Sequence, residues 1–139
     1  EVAAEQYVGL SLVFGIPARL NQTGMFTMKP ESNMEWPVPM GGGYHYMKFE
    51  GKFAKTDSSI QNFQMHTGPL MAKDNSLYFT FDTPIDLKND ATITINEHLD
   101  KWMTSPNDLD LKDITKIMGN AEVQQKLMDN GHDVITLTQ

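Results

Sequence analysis

The sequence predicts a mainly β protein, an antiparallel β-sandwich with one or two short helices near its C-terminus. Two observations support this fold class. Through the first 96 positions, short stretches with period-two alternation of apolar residues are separated by turn-forming residues. After residue 96, the apolar residues take helical spacing instead. Because the chain has 139 residues, we expect a single sandwich domain over residues 1–139.

The first strand is predicted over residues 7–14, YVGLSLVF, where Val8, Leu10 and Leu12 share one face. Residues 21–43 follow without periodicity and are rich in Gly, Pro, Asn and Met, which predicts a long ordered loop. Long loops inside compact domains are often functional. This loop is therefore the first place to look for a site.

Residues 44–54 give the clearest strand signal, and residues 60–68 return as its hairpin partner. The stretch KTDSS between them is a turn by composition. A tight turn near residue 57 sets the register and pairs Phe49 with Met65. Two further strands are predicted as SLYFTFD, residues 76–82, and ATITIN, residues 91–96, with Ile93 and Ile95 facing inward.

Helical spacing and capping residues mark the last third of the chain. Asn96 is expected to cap one helical turn. The stretch DLKDITKIMG predicts a helix that ends at Gly119, and NAEVQQKLMDNG predicts a second helix from Asn120 to Gly131. The tail DVITLT is expected to form the last strand.

Composition excludes several classes of function. The net charge of −7 argues against a nucleic-acid partner, because phosphate binding needs a basic surface. No apolar run approaches the roughly 20 residues of a membrane span, so no membrane-spanning segment is expected. The absence of cysteine excludes disulfides, thiolate zinc sites and blue-copper sites. No nucleophile or phosphate-loop motif is present, so we expect a protein that is not an enzyme.

The stretch MEWPVPMGGGYHYMKFEGKF, residues 34–53, suggests a soft-metal site. It places Trp36, Met34 and Met40 on a loop directly before His45, and His66 lies on the partner strand. Imidazole nitrogen suits copper, and thioether sulfur suits Cu(I). The hairpin therefore brings two histidines into the same region of the fold.

Facing does not follow from this proximity. The predicted register sets Lys48 opposite His66, and alternation then places His45 and His66 on opposite faces. A shared site requires a bulge, or both histidines at strand ends where alternation lapses. The alternative is a histidine satisfied by hydrogen bonds in a half-buried strand.

His98 and Trp102 form a second candidate, because residues four apart share one face of a helical turn. The pair could be a metal ligand beside a modified or stacking tryptophan, or a capping turn with a buried indole. A third alternative is an aromatic platform for carbohydrate, made by Trp36, Tyr44 and Tyr46, although such residues usually pack across strands.

Five segments, in this order along the chain, resemble the MbnP-like family of methanobactin-associated periplasmic copper-binding proteins and their relatives. They are YVGLSLVFGIPARLN, MEWPVPMGGGYHYMKFEGKF, FQMHTG, ITINEHLDKWM and KLMDNGHDVITL. The most specific parts are the block around Trp36 and Tyr44, the H-x-G at His66 and the DNGHDV ending. The resemblance covers nearly the whole chain.

This resemblance implies an exported, mainly β protein in the periplasm, often a lipoprotein or associated with the outer membrane or cell surface. Characterised members bind one copper through histidines, with a tryptophan oxidised to kynurenine as a further ligand. A dihaem enzyme similar to bacterial cytochrome c peroxidases makes that modification. Carried onto this sequence, His45 and His66 become the expected ligands and His98 a reserve ligand. Trp36 is the first candidate for oxidation, and Trp102 is the second.

Members of the family carry further strands upstream of the segment that matches residue 7, and this chain lacks them. The resemblance therefore implies a domain without its N-terminal strands. Such a sandwich would have an open sheet edge, and open edges are normally paired or covered. We accordingly expect a partner chain or self-association there. The alternative to a copper-binding protein is a structural or interaction β-module of a surface assembly without metal.

Overall fold

Antiparallel strand pairs make up most of the regular structure. A computed structural model describes residues 3, 5–71, 73–88 and 91–139. Within these residues the strands are β1 (Gln6–Tyr7), β2 (Leu10–Phe14), β3 (Met47–Ala54), β4 (Ile60–Thr67), β5 (Leu77–Phe81), β6 (Ile85–Asp86), β7 (Thr94–Glu97) and β8 (Ile135–Thr138). They form the antiparallel ladders β1–β6, β2–β5, β3–β4 and β7–β8. The prediction of a mainly β, antiparallel fold is confirmed.

Helical structure is short and lies mostly in the C-terminal third. The α-helices are α1 (Lys101–Thr104) and α2 (Ala121–Asn130). Single 3₁₀ turns cover Glu31–Met34, Val38–Met40 and Gly131–Asp133. Neither α-helix of the described residues has the length and apolar character that a membrane crossing requires.

The β3–β4 hairpin is the longest ladder and has the predicted register. Phe49 pairs with Met65, and Lys48 pairs with His66. Asp57 in the turn accepts hydrogen bonds from the backbone and hydroxyl of Ser59, which fixes the turn between the strands. The inner face of the hairpin then joins the core, where Met65 is fully buried.

The predicted strand over residues 7–14 is divided. β1 pairs with β6, whereas β2 pairs with β5, so the chain passes from one ladder to another at residues 8 and 9. Val8 lies at this passage and is 91% exposed. Its predicted position on the buried face is therefore wrong, because alternation is interrupted where the pairing partner changes.

The segment after residue 91 differs from the prediction at three points. Asn96 lies within β7, and α1 begins after Asp100 instead. Ile95 is 51% exposed rather than inward-facing. The helix predicted for residues 110–119 is absent, since that segment forms turns and its Lys116 makes a parallel bridge with Gln64 of β4.

The second predicted helix and the last strand are confirmed as α2 and β8. The Asn120 side chain accepts a hydrogen bond from the Val123 backbone N–H at 3.1 Å, as an N-cap residue does. The core lies between the hairpin, the β2–β5 ladder and α2. Its most buried apolar members, each at most 5% exposed, are Met65, Leu77, Trp102, Ile117, Leu127, Met128 and Val134.

Candidate metal site

The segment that leads into the hairpin, residues 34–46, is here called the site loop. Its two ends are joined by backbone hydrogen bonds. Trp36 N–H donates to Gly43 O at 2.8 Å, and His45 N–H donates to Met34 O at 2.6 Å. Because the loop is closed in this way, Trp36 and His45 are held close together.

Glycine at position 43 is required by both conformation and space. Gly43 has φ of +83°, a region that side chains with a Cβ rarely adopt. A Cβ there would lie 2.5 Å from Asn21 Oδ1. The same oxygen accepts a hydrogen bond from Tyr44 N–H at 2.7 Å. The segment around Asn21 therefore supports the site loop from behind.

Strand alternation lapses directly before β3, which brings the two histidines together. Tyr44, His45, Tyr46 and Met47 are all buried in succession. His45 precedes β3, and His66 is the next-to-last residue of β4. Their rings are edge to face with centroids 5.1 Å apart. Strict alternation would have placed the rings on opposite faces; the strand-end alternative describes the structure instead.

The ring of His45 is fixed at one nitrogen and unpaired at the other. Nδ1 lies 2.9 Å from Met34 O, and a carbonyl only accepts, so Nδ1 carries the proton. Nε2 is buried and has no hydrogen-bond partner within the described residues. Burial lowers the pKa of His45 despite the hydrogen bond to Met34, and the nearby His66 adds to the lowering. The result is a neutral imidazole with its lone pair on Nε2.

His66 is held on its outer side by a carboxylate. Its Nε2 lies 2.5 Å from Oε1 of Glu50, and the His66 and Glu50 side chains are 12% and 47% exposed. A carboxylate accepts hydrogen bonds, so Nε2 of His66 donates. In the neutral ring the lone pair then lies on Nδ1.

Trp36 completes the cluster. It is 1% exposed, and its ring is edge to face with His45 at 4.8 Å. Its indole N–H donates to Met40 O at 3.3 Å. On the other side, a Cβ at Gly68 would lie 2.7 Å from the indole ring, so only glycine leaves room there. The indole is therefore clamped between His45 and the backbone that follows β4.

Met34 and Met40 contribute backbone carbonyls to this arrangement. Met34 O binds both the backbone and the ring of His45, and Met40 O accepts from Trp36. The terminal methyl of Met40 lies beside Gly119. The sequence therefore located both residues at the site, and the contacts that the structure gives them there are through the main chain.

His98 and Trp102 occupy a different part of the fold. His98 Nε2 lies 2.9 Å from Thr136 Oγ1, across the β7–β8 ladder. Trp102 is fully buried, donates its indole N–H to Glu97 and packs against Phe14. The structure brings together His45, His66 and Trp36, and it places His98 and Trp102 with β7 and β8.

The two histidines fit a shared metal ion by distance and by donor type. Metal–nitrogen bonds of about 2 Å allow rings on one ion to have centroids up to about 6 Å apart, which includes the distance seen here. In the described ranges, no three His, Asp or Glu side chains are grouped so that they could hold an ion together. The donor set is thus a pair of imidazoles, which suits copper better than hard cations.

Glu50 was not identified from the sequence, although a signal for it exists. In the predicted register, Glu50 lies two residues along β3 from the position opposite His66, on the same face. Long side chains reach such diagonal neighbours. Combining the register with the histidine position would have singled it out.

A mainly β fold with a buried histidine pair beside a clamped tryptophan defines this chain as a candidate metal-binding protein. The sequence profile of the MbnP family matches residues 1–124. The chain therefore belongs to the MbnP family, as the resemblance of its motifs implied. Searches of curated proteins and of solved structures gave no significant match.

Proposed function

We propose that this chain is an exported copper-binding protein in which His45 and His66 hold one copper ion. Its role is copper handling in the periplasm or at the cell surface, as a binding protein and not an enzyme. The observation that carries the proposal is the buried, unpaired Nε2 of His45 beside the ring of His66. A buried polar atom without a partner is unfavourable, and a bound metal ion would satisfy it.

Membership of the MbnP family supports copper as the metal, because the family is associated with methanobactin. The donor set agrees with this choice. Two neutral imidazoles with little access to water suit copper, whereas Mg²⁺ and Ca²⁺ require several oxygen ligands. The hydrogen bond from His45 to Met34 O orients the ring before any metal arrives, which reduces the reorganisation that binding requires.

We further propose Trp36 as the tryptophan that becomes kynurenine. It contacts His45, whereas Trp102 packs against Phe14. Opening the indole ring at Trp36 would create an aromatic amine and a ketone next to the histidine pair. The partner for this oxidation would be a dihaem enzyme similar to bacterial cytochrome c peroxidases, as the family resemblance implies.

Titration with Cu(I) against a competing chelator tests the copper site. We expect equimolar binding in the natural sequence and a large loss of affinity in His45→Ala and in His66→Ala. His98→Ala is the matched control, because that ring pairs with Thr136 in another ladder, and its affinity should be unchanged. Circular dichroism of each variant establishes that a loss of affinity is not a loss of fold.

Peptide mass spectrometry of protein from its natural source tests the modification. We expect the mass of kynurenine in the peptide that contains Trp36 and the mass of tryptophan in the peptide that contains Trp102. Folded protein without copper, with both tryptophans intact, would refute the proposal. It would favour the alternative, an interaction module that pairs with another chain at a sheet edge.

A further inference from the structure

We propose that Glu50 is a positioning residue that makes His66 present Nδ1 to the metal, while His45 presents Nε2. This inference rests on the proposed copper site for its functional meaning. Its structural part, the position of the proton on His66, concerns the metal-free protein and can be measured there. The two histidines would then be unlike ligands, each fixed by a different hydrogen-bond acceptor.

The hydrogen-bond partners of the two rings determine this assignment. Met34 O accepts from Nδ1 of His45, which leaves Nε2 as the nitrogen that can bind a metal. Glu50 accepts from Nε2 of His66, which leaves Nδ1. Both partners are acceptors only, so each fixes the proton on the nitrogen that it contacts.

The place of Glu50 in the hairpin explains why it can hold this position. Lys48 lies directly opposite His66, and Glu50 lies opposite Gln64, so the contact from Glu50 to His66 is diagonal. The eight paired positions of β3 and β4 fix the distance between the two strands at this point. The acceptor is therefore carried by a rigid element and not by a mobile loop.

A role for Glu50 as a third ligand is disfavoured by its surroundings. No three acidic or histidine side chains are grouped for a common ion across the described residues. The Glu50 side chain is 47% exposed, whereas the unpaired nitrogen of His45 is buried. The carboxylate therefore lies on the solvent side of His66, away from the interior where the free nitrogen of His45 is found.

A carboxylate that accepts the second ring N–H of a histidine orients the ring and makes it a stronger donor. Loss of such a partner typically weakens metal binding by about 10–100-fold. We therefore expect Glu50→Ala to bind Cu(I) about 10–100-fold more weakly than the natural sequence does. Glu50→Gln keeps an acceptor oxygen at the same place and should recover much of this loss. Lys52→Ala, two residues along the same face of β3, is the matched control and should bind normally.

The decisive measurement is long-range ¹H–¹⁵N NMR of the histidine rings in the metal-free protein. We expect His66 with its proton on Nε2 in the natural sequence and in Glu50→Gln, and a mixture of both tautomers in Glu50→Ala. His45 should keep its proton on Nδ1 in all three proteins, which shows that the fold around it is intact.

The outcomes separate this inference from the proposed function. Natural protein with the expected tautomers but no affinity for copper would refute the proposed function, and the metal role of Glu50 with it. Tight copper binding that Glu50→Ala leaves unchanged would refute the role of Glu50 alone. X-ray absorption of the copper-loaded protein that required an oxygen ligand, lost in Glu50→Ala, would also overturn the inference by making Glu50 a ligand.

Discussion

Substitution of Gly68 by alanine should disturb the site through Trp36 without changing any polar group. The added Cβ would lie 2.7 and 2.8 Å from two atoms of the indole ring. Carbon atoms in favourable contact are about 3.5–4.0 Å apart, so the overlap is about 1 Å. Trp36 is 1% exposed and contacts His45 on its other side, so the ring cannot move away freely.

The expected result follows from the measured effects of overpacking. Forcing extra volume into a well-packed interior typically destabilises a protein by about 1–3 kcal/mol. We expect Gly68→Ala to lower the free energy of unfolding of the metal-free protein by this amount, about 1–3 kcal/mol. Because the displaced indole would press on His45, Cu(I) affinity should fall as well.

The assay is urea unfolding, followed by tryptophan fluorescence, together with a Cu(I) competition titration. Gly119→Ala is the matched control, because a Cβ there would meet only the terminal methyl of Met40 at 3.6 Å, an ordinary contact. Equal stability and equal copper affinity in the two variants would refute the packing argument. That result would mean that the indole has room to move.

Two further predictions concern α2 and the pH dependence of stability. Asn120→Ala removes the side chain that accepts from Val123 N–H and should reduce the free energy of unfolding by about 1 kcal/mol in urea. Glu122→Ala, at an exposed pair with Lys126, should change it by less than about 0.5 kcal/mol, and equal effects would contradict the capping role. In the metal-free protein, the pKa of His45 is lowered by burial from the ordinary 6.5, so the unfolded chain binds the extra proton first. Stability should therefore fall as the pH drops below about 6.5, by at most about 1.4 kcal/mol per pH unit from this group, and His45→Gln should have a smaller slope.

The hairpin was predictable because its sequence alternates strictly and its turn is short. Phe49 faces Met65 as expected, since a slip by one residue would expose a whole apolar face. The approach of His45 to His66 was not predictable from the same rule. It depends on the site loop, where tertiary contacts bury four successive residues, and on hydrogen bonds between segments that are distant in sequence, such as Asn21 and Tyr44.

The missing helix at residues 110–119 has a different cause. The spacing of Leu111, Ile114 and Met118 suits a helix, but it also suits a turning segment that covers the core from outside. Backbone pairing decides between them, because Gln64 N–H donates to Thr115 O at 2.8 Å. A contact between β4 and a segment about fifty residues later leaves no trace in local periodicity.

The support that Asn21 gives to Gly43 has a consequence for protein engineering. Thr23 takes part as well, since its hydroxyl accepts from Gly43 N–H at 2.8 Å. The site loop therefore is not a portable module. Grafting residues 34–46 onto another β-scaffold would remove the two side chains that support the backbone before His45. A transplant that is to retain metal affinity must also carry residues 21–23, as a second, discontinuous piece of the motif.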